Sequence, residues 1–152
     1  MRMSTAKASR GVSPNEAHSE GWPSAALADC VDLVTGFPFK SARFLEKPNG
    51  AVPLVKGENV SQGAILWSIS KYWPESEYAA HARFQLRSGD VVLAMDRPWV
   101  PAGLKWAFIG DRDPPALLVQ RCARLRSNVP ELDQTYLRFL IGSPSFEDYI
   151  RP

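Results

Sequence analysis

The apolar positions of this chain change period twice after Ser24. Leu27, Val31 and Val34 recur at helical spacing behind Ser24, a residue able to cap a helix, so the pattern predicts a short helix that Gly36 ends. Gly36-Phe37-Pro38-Phe39-Lys40-Ser41 then reads as a loop, and its two aromatics need either a core pocket or a partner. Short strand-like runs follow at Val52–Lys56, Ala64–Ser70, Phe84–Leu86, Asp90–Met95, Leu104–Ile109 and Ala116–Leu125. Turn residues separate them, among them Pro48-Asn49-Gly50, Ser88-Gly89 and the stretches 98–103 and 111–115. Behind Pro130, suited to a first helical turn, Leu132, Tyr136, Phe139 and Leu140 form a stripe of period 3.6 that Gly142 stops. Ser143-Pro144 opens a second helix with Phe146, Tyr149 and Ile150 on one face. Strands first and helices last predict an α+β fold: a single domain over residues 21–152, with a mixed or antiparallel sheet of short strands, long loops and closing helices at the C-terminus. There is no internal repeat.

Length and composition agree with one core. The chain has 152 residues, of which 45% are hydrophobic, enough to fold without disulfides or a structural metal. No apolar run approaches the ~20 residues of a membrane-spanning helix. Residues 1–20 carry Arg2, Lys7 and Arg10 with no apolar stretch behind them, which fits a polar, flexible leader rather than a secretory signal. The expected location is the cytoplasm, with no membrane partner. Cys30 and Cys122 lie far apart and have no histidine nearby, so they read as small core residues rather than zinc ligands or a disulfide.

The net charge of +2 says little, but its distribution says more. Lys40 to Lys56 holds four basic residues against one acidic, and Arg97 to Arg126 holds six against two. From Glu131 onward, four acidic residues oppose two basic ones. Such blocks place a positive surface on one side of the domain, although ordinary solvated charges would give the same counts.

Local catalytic patterns are missing. His18 falls in the leader and His81 in a polar stretch, neither with a carboxylate or thiol close by in sequence. No G-x-S-x-G, GxxxxGK[ST] or H-E-x-x-H occurs. Ala94-Met95-Asp96-Arg97-Pro98-Trp99 shares an aspartate, a proline and an aromatic with the Asn/Asp-Pro-Pro-aromatic motif of amino-methyltransferases. It lacks the second proline, and no glycine-rich cofactor motif precedes it. An enzyme reading therefore has no residue to rest on, and no cofactor is expected.

Several phrases taken in order resemble a known family. Trp22, Leu27-Ala28-Asp29-Cys30-Val31, then Gly36-Phe37-Pro38-Phe39-Lys40-Ser41 with Phe44 are similar to the opening of a target-recognition domain of type I restriction–modification specificity subunits. Val52-Pro53-Leu54-Val55-Lys56-Gly57-Glu58-Asn59-Val60 resembles the family's Pro-hydrophobic-hydrophobic-Lys/Arg-x-x-Asn-Ile strand and turn. Leu86 with Gly89-Asp90-Val91-Val92-Leu93-Ala94 resembles its Leu-x-x-Gly-Asp-hydrophobic signature. Leu117-Leu118-Val119-Gln120-Arg121 with Leu125-Arg126, and Tyr136-Leu137-Arg138-Phe139-Leu140 with Ser143, Phe146 and Tyr149-Ile150, resemble the returning strand and the closing helices. The chain departs from the pattern at Asp96-Arg97-Pro98-Trp99, where many members carry Thr-Gly or Ser-Gly. It also holds one recognition domain where members normally carry two, separated by long helices.

The resemblance implies sequence-specific recognition of double-stranded DNA, one half of a bipartite site, on behalf of methyltransferase and motor-nuclease subunits. S-adenosylmethionine chemistry would belong to the methyltransferase, leaving this chain non-catalytic. The contact residues it suggests are Lys40, Ser41, Arg43, Lys56, Asn59, Arg97, Lys105 and Arg121: cations for phosphates, polar groups for base edges. Each has a plainer alternative. Asn59 is more often a turn-former than an adenine reader. Arg124 and Arg126 alternate with apolar neighbours as on the solvated face of a strand. Trp67, Tyr72 and Trp73 are the more interesting aromatics because Lys71 interleaves them, although core burial is the default for Trp67. Self-association, a free-standing module that docks on a methyltransferase or specificity subunit and modulates it, and a small enzyme remain open from the residues alone.

Overall fold

The runs 52–55 and 116–119 are apolar without interruption because their strands are covered on both faces. The computed structural model describes residues 24–151, so the leader and Trp22 lie outside the described residues. A one-turn helix α1 (Leu27–Cys30) leads into eleven strands: β1 (Val31–Thr35), β2 (Ala51–Val55), β3 (Gln62–Gly63), β4 (Tyr72–Pro74), β5 (Gln85–Leu86), β6 (Val91–Ala94), β7 (Trp99–Val100), β8 (Gly103–Leu104), β9 (Trp106–Phe108), β10 (Ala116–Leu118) and β11 (Cys122–Ser127). Helices α2 (Gln134–Ile141) and α3 (Pro144–Ile150) close the chain.

One sheet runs β1-β11-β6-β9-β3 and the other β4-β2-β10-β5, while β7 and β8 form a separate ribbon. Pairing is antiparallel except for β10 with β2 and β3 with β9. The period of two along each strand sorts side chains into layers. Val55, Leu86, Val92, Ala94, Ala107, Leu118 and Cys122 meet in one core cluster, where the two sheets face each other. On the far side of the larger sheet, Val31, Val91 and Leu125 receive Leu137 and Ile141 of α2. On the far side of the smaller one, Leu54 and Leu117 pack against Phe39 and Trp73, with Phe37 and Phe44 beside them. The loop aromatics Phe37 and Phe39 are thus core material. Each fully buried Leu or Val contributes roughly 1.5–3 kcal/mol.

The mixed α+β architecture follows the sequence pattern, with several local differences. Residues 31–35 form a strand, not a helix, because β1 finds five backbone partners in β11, from Val31 opposite Ser127 to Thr35 opposite Ala123. Ser24 caps nothing, since Ala26 holds the cap position of the four-residue helix that remains. Residues 67–69 make a 3-10 turn rather than a strand, fixed by the Trp67 indole donating to Asp113 Oδ1 at 2.8 Å. The buried stripe of α2 is Leu137 and Ile141, while Tyr136 and Phe139 are exposed. That helix starts later than Pro130 suggests because Asp133 accepts from the Thr135 and Tyr136 amides. Gly142 and the Ser143-Pro144 start fall where the sequence puts them.

Candidate nucleic-acid interface

Loops gather where several strands end together. Lys56 leaves β2, Asp96 and Arg97 leave β6, Lys105 joins β8 to β9, and Gln120 and Arg121 turn the chain from β10 into β11. With Ser41 from the first loop they line an open cleft of about 590 Å³, whose other walls include Phe39, Phe44, Gly57 and Glu58. Five of the eight residues named from the sequence, Ser41, Lys56, Arg97, Lys105 and Arg121, therefore come together from segments up to 80 positions apart.

Four cations oppose two carboxylates here. Lys56 Nζ lies 2.9 Å from Glu58 Oε2, and Arg121 Nη1 donates to Asp96 Oδ2 at 2.8 Å. Lys105 Nζ donates to the Gly57 carbonyl, tying the two sides of the cleft. Arg97 has no carboxylate partner among the described residues. Both non-glycine residues with left-handed backbone among those described lie here: Arg97 at φ 48° and Arg121 at φ 68°.

The remaining three named residues are placed differently. Lys40 is exposed and precedes Ser41 without lining the cleft. Arg43 leans over the Trp73 ring at 4.4 Å and pairs with Glu77, so its charge is engaged at the aromatic layer. That hydrogen bond, with a smaller opposing effect of desolvation, holds the Glu77 carboxyl below its ordinary range. Asn59 is a correction. It is 1% exposed; its amide nitrogen donates to the Leu54 carbonyl and Ser70 Oγ, and its oxygen accepts from the Lys56 amide. Both donors are engaged inside the protein, so Asn59 shapes the turn carrying Lys56 and offers no edge to a base.

Arg124 and Arg126 are not a solvated strand face either. Arg124 is buried beside Asp32, and desolvation lowers its pKa. Arg126 grips the buried Asp90 through two bonds of 2.7 and 2.8 Å. Sequence reasoning missed Gln120, whose exposed side chain lines the cleft beside Arg121, and the two carboxylates; nothing in their spacing marks them.

Catalytic groupings are also defined by position. His81 sits against Phe37 and Phe39, with ring centroids 4.7 and 4.8 Å away. Burial pushes the Cys122 thiol up to about 12, so it is no nucleophile near neutrality. Among the described residues, no three His, Cys, Asp or Glu side chains are grouped to hold a metal, and no helix is long and apolar enough to cross a membrane.

The chain is similar to a type I restriction enzyme specificity subunit, MjaVIII, of Methanocaldococcus jannaschii: 34% identical over 128 residues, 84% of this chain and 29% of that protein. It is 28% identical over 133 residues to the EcoAI specificity subunit of Escherichia coli, covering 88% of this chain and 22% of that one. The chain thus spans less than a third of the curated relatives it matches. Among solved structures, the HsdS subunit from Thermoanaerobacter tengcongensis aligns with a TM-score of 0.58 at 17% identity, over 86% of this chain and 29% of that chain. A chain from work on complex assembly and conformational transition of the type I R-M system aligns with a TM-score of 0.60, also at 17% identity, over 88% and 31%. The fold is shared with both. No protein-family model matches.

Proposed function

We propose that this chain, which carries one target-recognition domain of the type I restriction specificity-subunit family, binds double-stranded DNA across the loop cleft and reads one half of a bipartite site. The observation that carries the reading is the convergence of Lys56, Arg97, Lys105 and Arg121 on one open face from four separate segments. Cations so placed neutralise phosphates and release counterions. Ser41 and Gln120 add hydrogen-bonding groups suited to base edges. The domain itself performs no chemistry in this reading. It works in the cytoplasm and positions methyltransferase and motor-nuclease subunits on DNA. A single half-site interface makes the isolated chain a weak binder, and a second copy or a partner subunit raises the effective concentration.

A second contact surface is favoured by the closing helices, where Tyr136, Phe139 and Tyr149 are 60%, 66% and 78% exposed. Aromatics displayed in that number suit protein docking, by which the domain joins or modulates its partners.

Fluorescence anisotropy of a labelled duplex over a salt titration tests the DNA reading. Lys56→Ala and Lys105→Ala should each reduce the slope of log K against log salt by about 1, nearly independent of sequence. Binding with no salt dependence, or variants that match wild type, would overturn it.

A further inference from the structure

The two left-handed arginines carry an inference that rests on the DNA reading and goes further. Left-handed turns favour glycine, because the Cβ of any other L residue crowds the following carbonyl oxygen, and after it asparagine or aspartate, whose side chains hydrogen-bond locally. This chain follows that preference at Gly50, Gly63, Gly89 and Gly103, all with positive φ. It breaks the preference at Arg97 and Arg121 alone among the described residues, and both line the same cleft. Strain of this kind persists where the surrounding structure enforces it, and it concentrates at working sites.

The surroundings of Arg121 do enforce it. Its carbonyl accepts from the Met95 amide at 2.8 Å, anchoring the turn to the end of β6. One residue later, Asp96 accepts from its guanidinium at 2.8 Å. Asp96 cancels a charge in the cleft as Glu58 does beside Lys56, but its partner is a planar guanidinium rather than a point charge. The two side chains are 69% and 47% exposed, so the carboxylate biases the direction of a planar donor fork before DNA arrives rather than locking it, which lowers the ordering entropy left to the binding step.

We propose that Arg121 is a specificity-determining residue that reads a guanine edge through two of its guanidinium N–H groups while Asp96 holds another, that Asp96 is its positioning residue, and that Lys56 and Lys105 serve the backbone. A lysine keeps the charge but not the fork, and a fork matched to guanine O6 and N7 discriminates by about 5- to 150-fold.

The test is a selection from 30-base-pair duplexes with a randomised centre, repeated over several rounds with the full chain, then affinity for one arbitrary duplex. Wild type should enrich a motif containing a guanine. Arg121→Lys should lose enrichment at that guanine alone, with affinity for the arbitrary duplex within about twofold. Asp96→Asn should bind the arbitrary duplex more tightly, having lost a negative charge, yet lose the same guanine preference. A purely structural role for Asp96 would instead lower the unfolding midpoint of Asp96→Asn and erase the whole enriched motif rather than its guanine alone. If wild type binds with a steep salt slope but Arg121→Lys keeps its motif, or no guanine is enriched, this inference falls and the DNA reading stands. If wild type binds no duplex, both fall.

Discussion

Replacing Asn59 with alanine separates a turn-builder from a base reader. The side chain makes three hydrogen bonds of 2.8–3.0 Å, and Leu54 and Ser70, which hold two of its partner atoms, are themselves buried. Asn59→Ala strands the Leu54 carbonyl and the Ser70 hydroxyl where water cannot reach, at about 1–3 kcal/mol for each unsatisfied group. The Lys56 amide is partly exposed and recovers more of its loss through water. The expected destabilisation is about 2–6 kcal/mol in all, which lowers the thermal midpoint by about 4–24 °C for a domain of this size. Urea unfolding should show the midpoint shifted and the m-value unchanged. Asn59→Asp keeps the acceptor for Lys56 but loses both donors and introduces a buried charge, so it should be at least as destabilising. Below the transition, the folded Asn59→Ala protein should keep its duplex preference. Stability within about 0.5 kcal/mol of wild type, together with lost preference for an adenine, would refute the reasoning and return Asn59 to the DNA face.

Gly36→Ala should lower stability by at least about 2 kcal/mol, since the new Cβ would lie 2.2 Å from the Val119 carbonyl oxygen with only backbone to move; chemical denaturation at near wild-type midpoint would count against it. Titration of the native protein with a disulfide reagent at pH 8 should leave Cys122 unmodified until the chain unfolds, because the thiol is buried and its pKa is raised to about 12. The same shift favours the folded state fully below the ordinary thiol value of 9.0, and that contribution is lost as pH rises from there toward about 12. Between those values stability should therefore fall more steeply for wild type than for Cys122→Ala, and parallel pH profiles would contradict this.

The strands were legible where apolar runs were continuous, as at β2, β6 and β10, because burial on both faces leaves no ambiguity of side. The register of residues 31–35 was not, since Val31 and Val34 satisfy a helical period equally well and only the distant β11 decides between them. Two stripes compete on α2 for the same reason: Tyr136 with Phe139, and Leu137 with Ile141, both recur at helical spacing. The core selected the aliphatic pair, which fits against Val31, Val91 and Leu125. At the cleft, sequence located the cations by their blocks but could not distinguish Lys56, which lines it, from Arg43, which turns to Glu77. The direction of Asn59 depends on Ser70, eleven residues later, and no local pattern reveals a hydrogen bond of that span.

The pairing of β1 with β11 governs how this domain is assembled in time. The earliest strand waits for the latest, and Arg124 reaches back 92 positions to Asp32 across that seam. The parallel contact of β2 with β10 joins Leu54 to Leu117, 63 positions on, and likewise waits for a distant segment. Closing such long loops is slow, so folding of the nascent chain is deferred until residue 127 has emerged. Until then β1 and β6 each lack the neighbour that lies between them in the finished sheet, leaving open edges prone to pairing with other chains. Ribosome stalling or a nonsense codon before Cys122 should thus yield an aggregating product rather than a smaller folded one, detectable by following solubility along a series of C-terminal truncations.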